Sequence, residues 1–210
     1  MIQSREDYLF FLEADELALN IDQTRSGRLI AYFTHDIWHF QRLLRKLEYY
    51  KNCRDSFFYK PYILYLLYRV ATSGRKLGFE IHPNVFGPGL GIAHIGTLIV
   101  NKRVRVGENC RIHSCTYLAA QATGKDDDCP VIGNNVFIGP CTVIVGKIEI
   151  ADDVAIGANS YVSNSFIEKG ITIAGAPAVK VSNKGSHGLC SFQLASNIIR
   201  RRRDSSKDRQ

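Results

Sequence analysis

The sequence lacks a long apolar run, an N-terminal leader pattern and closely paired cysteines. The longest apolar run, residues 62–68, is far too short to cross a bilayer. The chain starts with an acidic, amphipathic segment and no basic flank precedes an apolar stretch, so we expect no signal peptide. The six cysteines contain no C-x-x-C pair, which favours reduced thiols and a cytoplasmic protein.

Positive charge is concentrated near the end of the chain. The formal net charge is +7, and a basic run occupies residues 200–203, followed by Lys207 and Arg209. Such a run is usually a solvated tail, and peripheral contact with anionic membrane lipid or an acidic carrier is the alternative. No aromatic platform or nucleic-acid-reading module accompanies it, so we expect no nucleic-acid partner.

A sixfold repeat dominates the second half of the sequence. Its unit-start positions are all Val, Ile or Leu: Val100, Val106, Ile112, Leu118, Ile132, Ile138, Ile144, Ile150, Ile156 and Val162. A period of six fits neither an amphipathic helix nor an ordinary strand. It predicts a parallel β-helix of hexapeptides, in which three units make a coil of about 18 residues and the inward side chains form the core.

The repeat is interrupted once, between Leu118 and Ile132. The interval holds two residues more than two hexapeptides need, so we expect a protruding loop there. Loops that leave a rigid scaffold often carry functional residues.

The remaining pattern indicates an α+β protein in three parts. Residues 1–78 form an N-terminal helical cap with helices predicted over 5–19, 28–53 and 56–77; residues 79–186 form the β-helix; residues 187–210 form the basic tail, with a helix over 192–202. His35 and His39 lie four apart within the second helix, where packing is a better interpretation than a metal site.

One histidine falls within the repeat itself. Counting back in sixes from Val100 makes His94 a unit-start position, where every later unit has an aliphatic residue. Local rules tend to be broken at functional sites, so we predict a catalytic role for His94. A purely structural histidine is the alternative.

These residues carry a family resemblance. From about residue 78 to 184 the chain resembles the serine acetyltransferases within the hexapeptide acyltransferase superfamily. The matching elements are the entry Glu80-Ile81-His82-Pro83, the His94 segment, the loop ending at Pro130, the I-G-x-x repeats and the A-G-x-P-A segment at 174–178. The resemblance implies a left-handed parallel β-helix, a homotrimer, and acetyl-CoA bound between subunits. It allows a dimer of trimers through the N-terminal helices.

The resemblance also implies roles for individual residues. His94 stands where the family has its general base, and Glu80 stands where the family has the acid that orients the base. Contacts to the co-substrate acetyl-CoA fall on Gly139, Pro140, Gly157, Ala158 and Lys180, although each of these could be only a β-helix corner. We expect no metal.

The acceptor site departs from the family pattern. Ala93 stands where the family has a serine-binding Asp, and Asp128-Cys129 stand where it has Arg-His. A zwitterionic serine needs a cation and an anion, so these changes predict that the serine site is lost. His113, 19 residues after His94, and Asp128 are then candidates for contacts to another acceptor.

Three functions remain open from the sequence. The phrases NVFGPGLGIAHIGTLIVN and NCRIH resemble a serine acetyltransferase-like subgroup found with surface-polysaccharide synthesis, which implies O-acetylation of a sugar hydroxyl. The first alternative is a serine O-acetyltransferase with a rearranged site. The second is a non-catalytic or zinc-binding β-helix that uses His82, His94 and His113.

Overall fold

The computed structural model describes residues 1–54, 56–121, 128–189, 197, 199, 200 and 203. Its N-terminal region is helical. Its helices are α1 (Arg5–Ala18), α2 (Arg25–Thr34), α3 (Asp36–Cys53) and α4 (Lys60–Leu77), with a 3₁₀ turn at Phe57–Tyr59. The single helix predicted over residues 28–53 is therefore two helices. They separate at His35, whose backbone is not helical and whose Nδ1 accepts the Trp38 N–H at 3.2 Å. This side-chain cap starts α3 without any proline or glycine.

Fourteen short strands follow within the described residues. They are β1 (Phe79–Ile81), β2 (Gly91–Ile92), β3 (Leu98–Val100), β4 (Arg105–Val106), β5 (Arg111–Ile112), β6 (Thr116–Ala119), β7 (Val131–Ile132), β8 (Phe137–Ile138), β9 (Val143–Val145), β10 (Glu149–Ile150), β11 (Ala155–Ile156), β12 (Tyr161–Val162), β13 (Thr172–Gly175) and β14 (Ala178–Ser182).

The strands stack into three sheets, which form the three sides of the β-helix. The five-strand side is β1-β3-β6-β9-β12, the three-strand side is β4-β7-β10, and the six-strand side is β2-β5-β8-β11-β13-β14. Only the last pair, β13 with β14, is antiparallel. Because successive strands pass from side to side and pair with the coils before and after, the chain is the parallel β-helix that the repeat predicted. The left-handed winding stays a prediction.

The inward ladder of the six-strand side is aliphatic in every coil, which corrects the position assigned to His94. On the six-strand side the register aligns Ile92, Ile112, Ile138, Ile156 and Ile173, all 1% exposed or less. The first coil therefore contributes Ile92 to the ladder. The next ladder residue, Val100, lies eight positions after Ile92 instead of six. The two extra residues place His94 in a corner outside the core.

The interruption after Leu118 is also larger than predicted. Leu118 pairs with Ile144, and Val106 pairs with Ile132, each 26 residues further on instead of 18. Ile132 therefore follows Leu118 directly in the ladder, and eight residues leave the coil rather than two. Residues 122–127 of this loop lie outside the described part of the chain.

The helices close the first coil through a shared apolar core. Phe40, Leu44, Leu66 and Val70 belong to the same buried cluster as the ladder residues. Phe40 meets Phe79 of β1 edge to face, with ring centroids 5.2 Å apart. The helical part is therefore continuous with the coil, as expected for a solenoid whose end must be covered.

A buried charge network also joins the helices to the first coil. The Arg45 side chain is fully buried and donates hydrogen bonds to Asp15, Glu48 and the carbonyl oxygens of Phe86 and Gly87. Asp15 in turn accepts the backbone N–H groups of residues 89 and 90 at 2.9 Å. The network fixes the segment that leads into β2 and the His94 corner.

The described part of the basic tail lies against the coil. Ile199 is buried, and Arg203 Nη2 donates to Glu108 Oε2 at 2.6 Å. This differs from the solvated tail expected from composition. Most of the helix predicted over residues 192–202 lies outside the described residues, although residues 197, 199, 200 and 203 are helical. In the part of the chain that is described, no helix is long and apolar enough to span a membrane.

Candidate functional site

Seven of the predicted site residues line one edge of the β-helix. After each inward residue of the six-strand side, the chain turns the same corner, and the corner residues are Ala93, His94, His113, Gly139, Pro140, Gly157 and Ala158. Parallel hydrogen bonds hold the coils in register here, from the His113 N–H to the Ile138 oxygen at 3.1 Å and from the Gly139 N–H to the Ile156 oxygen at 2.9 Å. Adjacent coils are therefore separated by about 4.8 Å along this edge.

His94 is exposed at the first turn of this edge. Its ring lies 5.6 Å from the ring of His113 on the next coil, at an interplanar angle of 61°. His113 packs in turn against Phe137, with ring centroids 5.1 Å apart. The two imidazoles therefore form one cluster, of which His94 is the exposed member.

The surroundings of His113 favour its neutral form. Burial lowers the pKa of His113 from its usual value, and the positive charges of Arg111 and, when protonated, His94 lower it further. Its Nε2 atom is buried and has no hydrogen-bond partner among the described residues. At neutral pH this ring can exchange hydrogen bonds with a bound polar group without carrying charge.

Arg111 is a further candidate that the sequence reasoning missed. It faces outward on β5, two residues before His113, in a row shared with Gly91 and Phe137. Within the described part of the chain, its buried Nε atom has no hydrogen-bond partner, and no carboxylate forms an ion pair with its guanidinium. A guanidinium in this state is a suitable partner for an anionic group. The strand register could have identified Arg111, because it is the one charged residue among the outward-facing residues that align with it on the six-strand side.

Gly139 and Gly157 have a structural reason to be glycine. A Cβ at Gly139 would lie 2.8 Å from the Ala158 nitrogen, and a Cβ at Gly157 would lie 2.9 Å from the Ala174 Cβ. Close stacking of the coils therefore explains both glycines, and their role in binding acetyl-CoA stays a prediction. Pro140 and Ala158 are exposed beside them.

Lys180 lies at the other end of the six-strand side from His94. It is on β14, and its Nζ donates to Glu168 Oε1 at 2.6 Å. A ligand that contacts both Lys180 and the His94 corner would have to extend along the whole edge.

Glu80 is on the five-strand side, where its side chain is exposed. Its Oε1 lies 4.0 Å from Nε2 of His82, and no ion pair joins it to His94 within the described residues. Its predicted role in orienting His94 stays a prediction.

Asp128 and Cys129 lie where the loop rejoins the coil. The Asp128 carbonyl accepts the Gln121 N–H at 3.4 Å across the base of the loop. Cys129 is 5% exposed and belongs to the main apolar core. Its thiol faces away from solvent, which disagrees with the acceptor contact predicted for it.

The histidines do not converge on a metal. Among the described residues of a single chain, no three His, Cys, Asp or Glu side chains lie close enough to hold an ion, so His82, His94 and His113 of one chain do not come together as a zinc site. His35 and His39 are used in helix packing: His35 caps α3, and His39 hydrogen-bonds to the Tyr32 carbonyl.

Comparison with known proteins gives consistent results. Residues 129–164 match the family described as bacterial transferase hexapeptide (six repeats). A serine acetyltransferase of Staphylococcus epidermidis is 31% identical over 187 residues, which cover 86% of this chain and 78% of the relative. A serine acetyltransferase of Helicobacter pylori is 33% identical over 106 residues, or 50% of this chain; the match spans 61% of the length of that relative.

A solved structure supports the fold. The crystal structure of serine acetyltransferase in complex with coenzyme A from Brucella abortus aligns with a TM-score of 0.70 and 23% identity, over 86% of this chain and 70% of that one. The relatives named here are serine acetyltransferases, so the expected relation to a surface-polysaccharide subgroup is not supported.

Proposed function

Since the chain belongs to the serine acetyltransferase family, we propose that it transfers an acetyl group from acetyl-CoA to an acceptor hydroxyl, with His94 as the general base. The observation that carries this proposal is the placement of His94. It is exposed at a corner, outside the aliphatic ladder of the six-strand side, and lies beside a second imidazole whose pKa is lowered by burial.

The chemistry requires a base because an alkyl hydroxyl is a poor nucleophile at neutral pH. His94 would take the hydroxyl proton as the oxygen attacks the thioester carbonyl, and would then protonate the departing CoA thiolate. Backbone N–H groups at the corner are candidates for stabilising the oxyanion. Acetyl-CoA would lie along the edge past Gly139, Pro140, Gly157 and Ala158.

L-serine is the acceptor that we place first. The relatives carry its name, and Arg111, on the strand that ends just before His113, supplies a cation for its carboxylate. In this arrangement Arg111 takes over the role of the Arg that the resemblance expected at position 128.

A sugar hydroxyl is the second candidate. Ala93 beside His94 offers no carboxylate for the serine ammonium, and the buried Cys129 offers no polar contact to an amino acid. A neutral acceptor requires neither charge. Asp128 and His113 would then serve as hydrogen-bonding partners.

The assembly that we propose is a homotrimer with the acetyl-CoA groove between neighbouring subunits. Two trimers would pair through the N-terminal helices, where Leu29, Phe33 and Leu64 are exposed on α2 and α4. Exposed apolar surface of this kind is typical of an interaction site.

Thiol release from acetyl-CoA, measured with L-serine and separately with sugar acceptors, tests the proposal. We expect release that depends on serine, and we expect Arg111→Met to raise KM for serine about tenfold or more while KM for acetyl-CoA stays unchanged. Arg75→Met, at an exposed arginine of α4, is the control. Thiol release with sugars and none with L-serine would show that a sugar hydroxyl is the acceptor. No release with any acceptor, from a protein with normal helix and strand content, would overturn it.

A further inference from the structure

Two exposed thiols occupy adjacent coils at the edge that carries His94. Cys115 follows Ser114, and Cys141 follows Pro140, each at the same turn from the six-strand side to the five-strand side. Both side chains are exposed. No part of the proposed function uses either of them.

The register places the two cysteines side by side. Tyr117 pairs with Val143, which puts Cys115 opposite Cys141, and the Cys141 N–H donates to the Ser114 carbonyl at 3.1 Å. The expected Cα separation is then about 4.8 Å, within the range of about 4.4–6.8 Å found for disulfides.

Backbone conformation points both side chains the same way. Cys115 and Cys141 have φ values of 59° and 57°, in the left-handed region that most side chains avoid. With equal conformations on stacked coils, the two Cβ atoms leave the corner in parallel. The thiols interact: the pKa of Cys141 is raised by desolvation and then by a hydrogen bond with Cys115.

The other described cysteines are less accessible. Cys110 and Cys129 are 1% and 5% exposed, and burial raises the pKa of Cys110 to about 12. Cys53 is half-buried on α3, and its pKa is also raised, mainly by desolvation. Selective oxidation would therefore favour the adjacent pair.

We propose that Cys115 and Cys141 are a site of reversible oxidation, at which a hydroperoxide converts the two thiols to a disulfide that links successive coils. The Cys115 thiolate attacks the peroxide oxygen, forming a sulfenic acid and releasing hydroxide or alkoxide, which takes up a proton. The Cys141 sulfur then attacks the sulfenic sulfur, forming the S–S bond and releasing water. Two electrons pass from the thiols to the peroxide. A dithiol reductant then returns the disulfide to two thiols by thiol–disulfide exchange and is itself oxidised to a disulfide.

The disulfide has a consequence that rests on the proposed function. Cys141 directly follows Pro140, so the link would restrict the turn that lines the proposed acetyl-CoA groove. We expect oxidation to weaken acetyl-CoA binding about tenfold, the effect of losing one good hydrogen bond.

The first experiment treats the reduced, full-length protein with hydrogen peroxide and maps its peptides by mass spectrometry. We expect a cross-linked pair containing Cys115 and Cys141, the loss of two titratable thiols per chain, and full recovery with dithiothreitol. Cys115→Ser and Cys141→Ser should each abolish the cross-link, whereas Cys53→Ser should retain it. A cross-link through other cysteines, or over-oxidation of both thiols without a link, would overturn the proposal.

Two further measurements separate the possible causes of failure. Phenylarsine oxide, which bridges adjacent thiols, should bind the wild type and neither serine variant. Arsenical binding without disulfide formation would overturn the oxidation proposal while showing that the thiols are neighbours. Calorimetry with acetyl-CoA then compares reduced and oxidised protein: a disulfide that leaves the affinity unchanged overturns the consequence alone, and no binding to reduced protein counts against the proposed function.

Discussion

The imidazole rings of His94 and His113 lie 5.6 Å apart on successive coils, and they differ in what surrounds them. His113 is partly buried between His94, Phe137 and the positive charge of Arg111, whereas His94 is exposed. A base that must accept a proton and release it needs access to substrate and freedom to become charged. Of the two rings, His94 is the one that substrate can reach, and the lowered pKa of His113 disfavours its protonated form.

His94→Ala should lower the turnover of acetyl transfer about 100-fold or more, because a positioned general base contributes at least this much. The assay is thiol release from acetyl-CoA, and calorimetry should show that acetyl-CoA still binds. His187→Ala, at an exposed histidine outside the corner, should leave the rate unchanged. An unchanged rate in the His94 variant would exclude the general-base role.

The pKa of His113 should depend on Arg111. Removing the guanidinium removes a charge that disfavours the imidazolium, so Arg111→Met should raise the pKa of His113, while burial keeps it below its usual value of about 6.5. NMR titration of the ring Cε1 signal measures this directly. Arg105→Met, at an exposed arginine on the three-strand side, is the matched control. An identical His113 titration in the Arg111 variant would mean that the two side chains do not interact.

Mild acid should destabilise the protein through the same group. A histidine whose pKa is lowered in the folded state binds protons more weakly there than in the unfolded chain, so stability falls as the pH drops through about 6.5. His35, whose pKa is lowered mainly by burial, acts in the same direction. Urea unfolding at successive pH values should show a smaller loss in His113→Asn. If the His113→Asn variant loses as much stability in mild acid as the wild type, other groups cause the pH dependence.

The repeat made the β-helix predictable, but the positions of its insertions were not. Counting back in sixes from Val100 leads to His94 and passes over Ile92, and only the pairing of Ile92 with Ile112 places Ile92 in the ladder. The interval from Leu118 to Ile132 likewise reads as two hexapeptides with two extra residues or as one with eight. Strand pairing across coils, which the sequence does not state, selects the second.

The sequence indicated the candidate site residues that interrupt the repeat or lie at its turns. It did not indicate those whose side chains face outward. His94 and His113 stand out in the sequence because they are histidines within an aliphatic repeat, and the corner glycines because glycine is typical of turns. Arg111, Cys115 and Cys141 lie at outward or corner positions, where the hydrophobic pattern sets no requirement. These three residues become candidates only when it is known which residues lie next to each other on adjacent coils. That depends on the loop, because residues paired across it are 26 positions apart in the sequence.

Stability of the coil should depend strongly on single ladder residues, because each coil has one thin apolar layer. Ile138 is completely buried between Ile112 and Ile156, so Ile138→Ala should cost about 2–5 kcal/mol. Urea unfolding monitored by circular dichroism measures the change. Ile167→Ala, at a side chain that is 77% exposed, should change stability by less than about 0.5 kcal/mol. Equal effects of the two substitutions would contradict the ladder.

The buried network around Arg45 should be the most sensitive polar feature of the fold. Burial opposes the Arg45 charge, but Asp15 and Glu48 outweigh this effect and raise the pKa of the guanidinium. Arg45→Met would leave two carboxylates buried without their cation, at a cost of about 3–5 kcal/mol in unfolding free energy. Arg42→Met is the control on the same helix: the Arg42 side chain is 41% exposed, and its buried partner Glu16 keeps a second cation in Arg28, so this substitution should cost clearly less than Arg45→Met. If the two substitutions lowered the urea midpoint equally, Arg45 would not hold the segment before His94 in the way that its hydrogen bonds indicate.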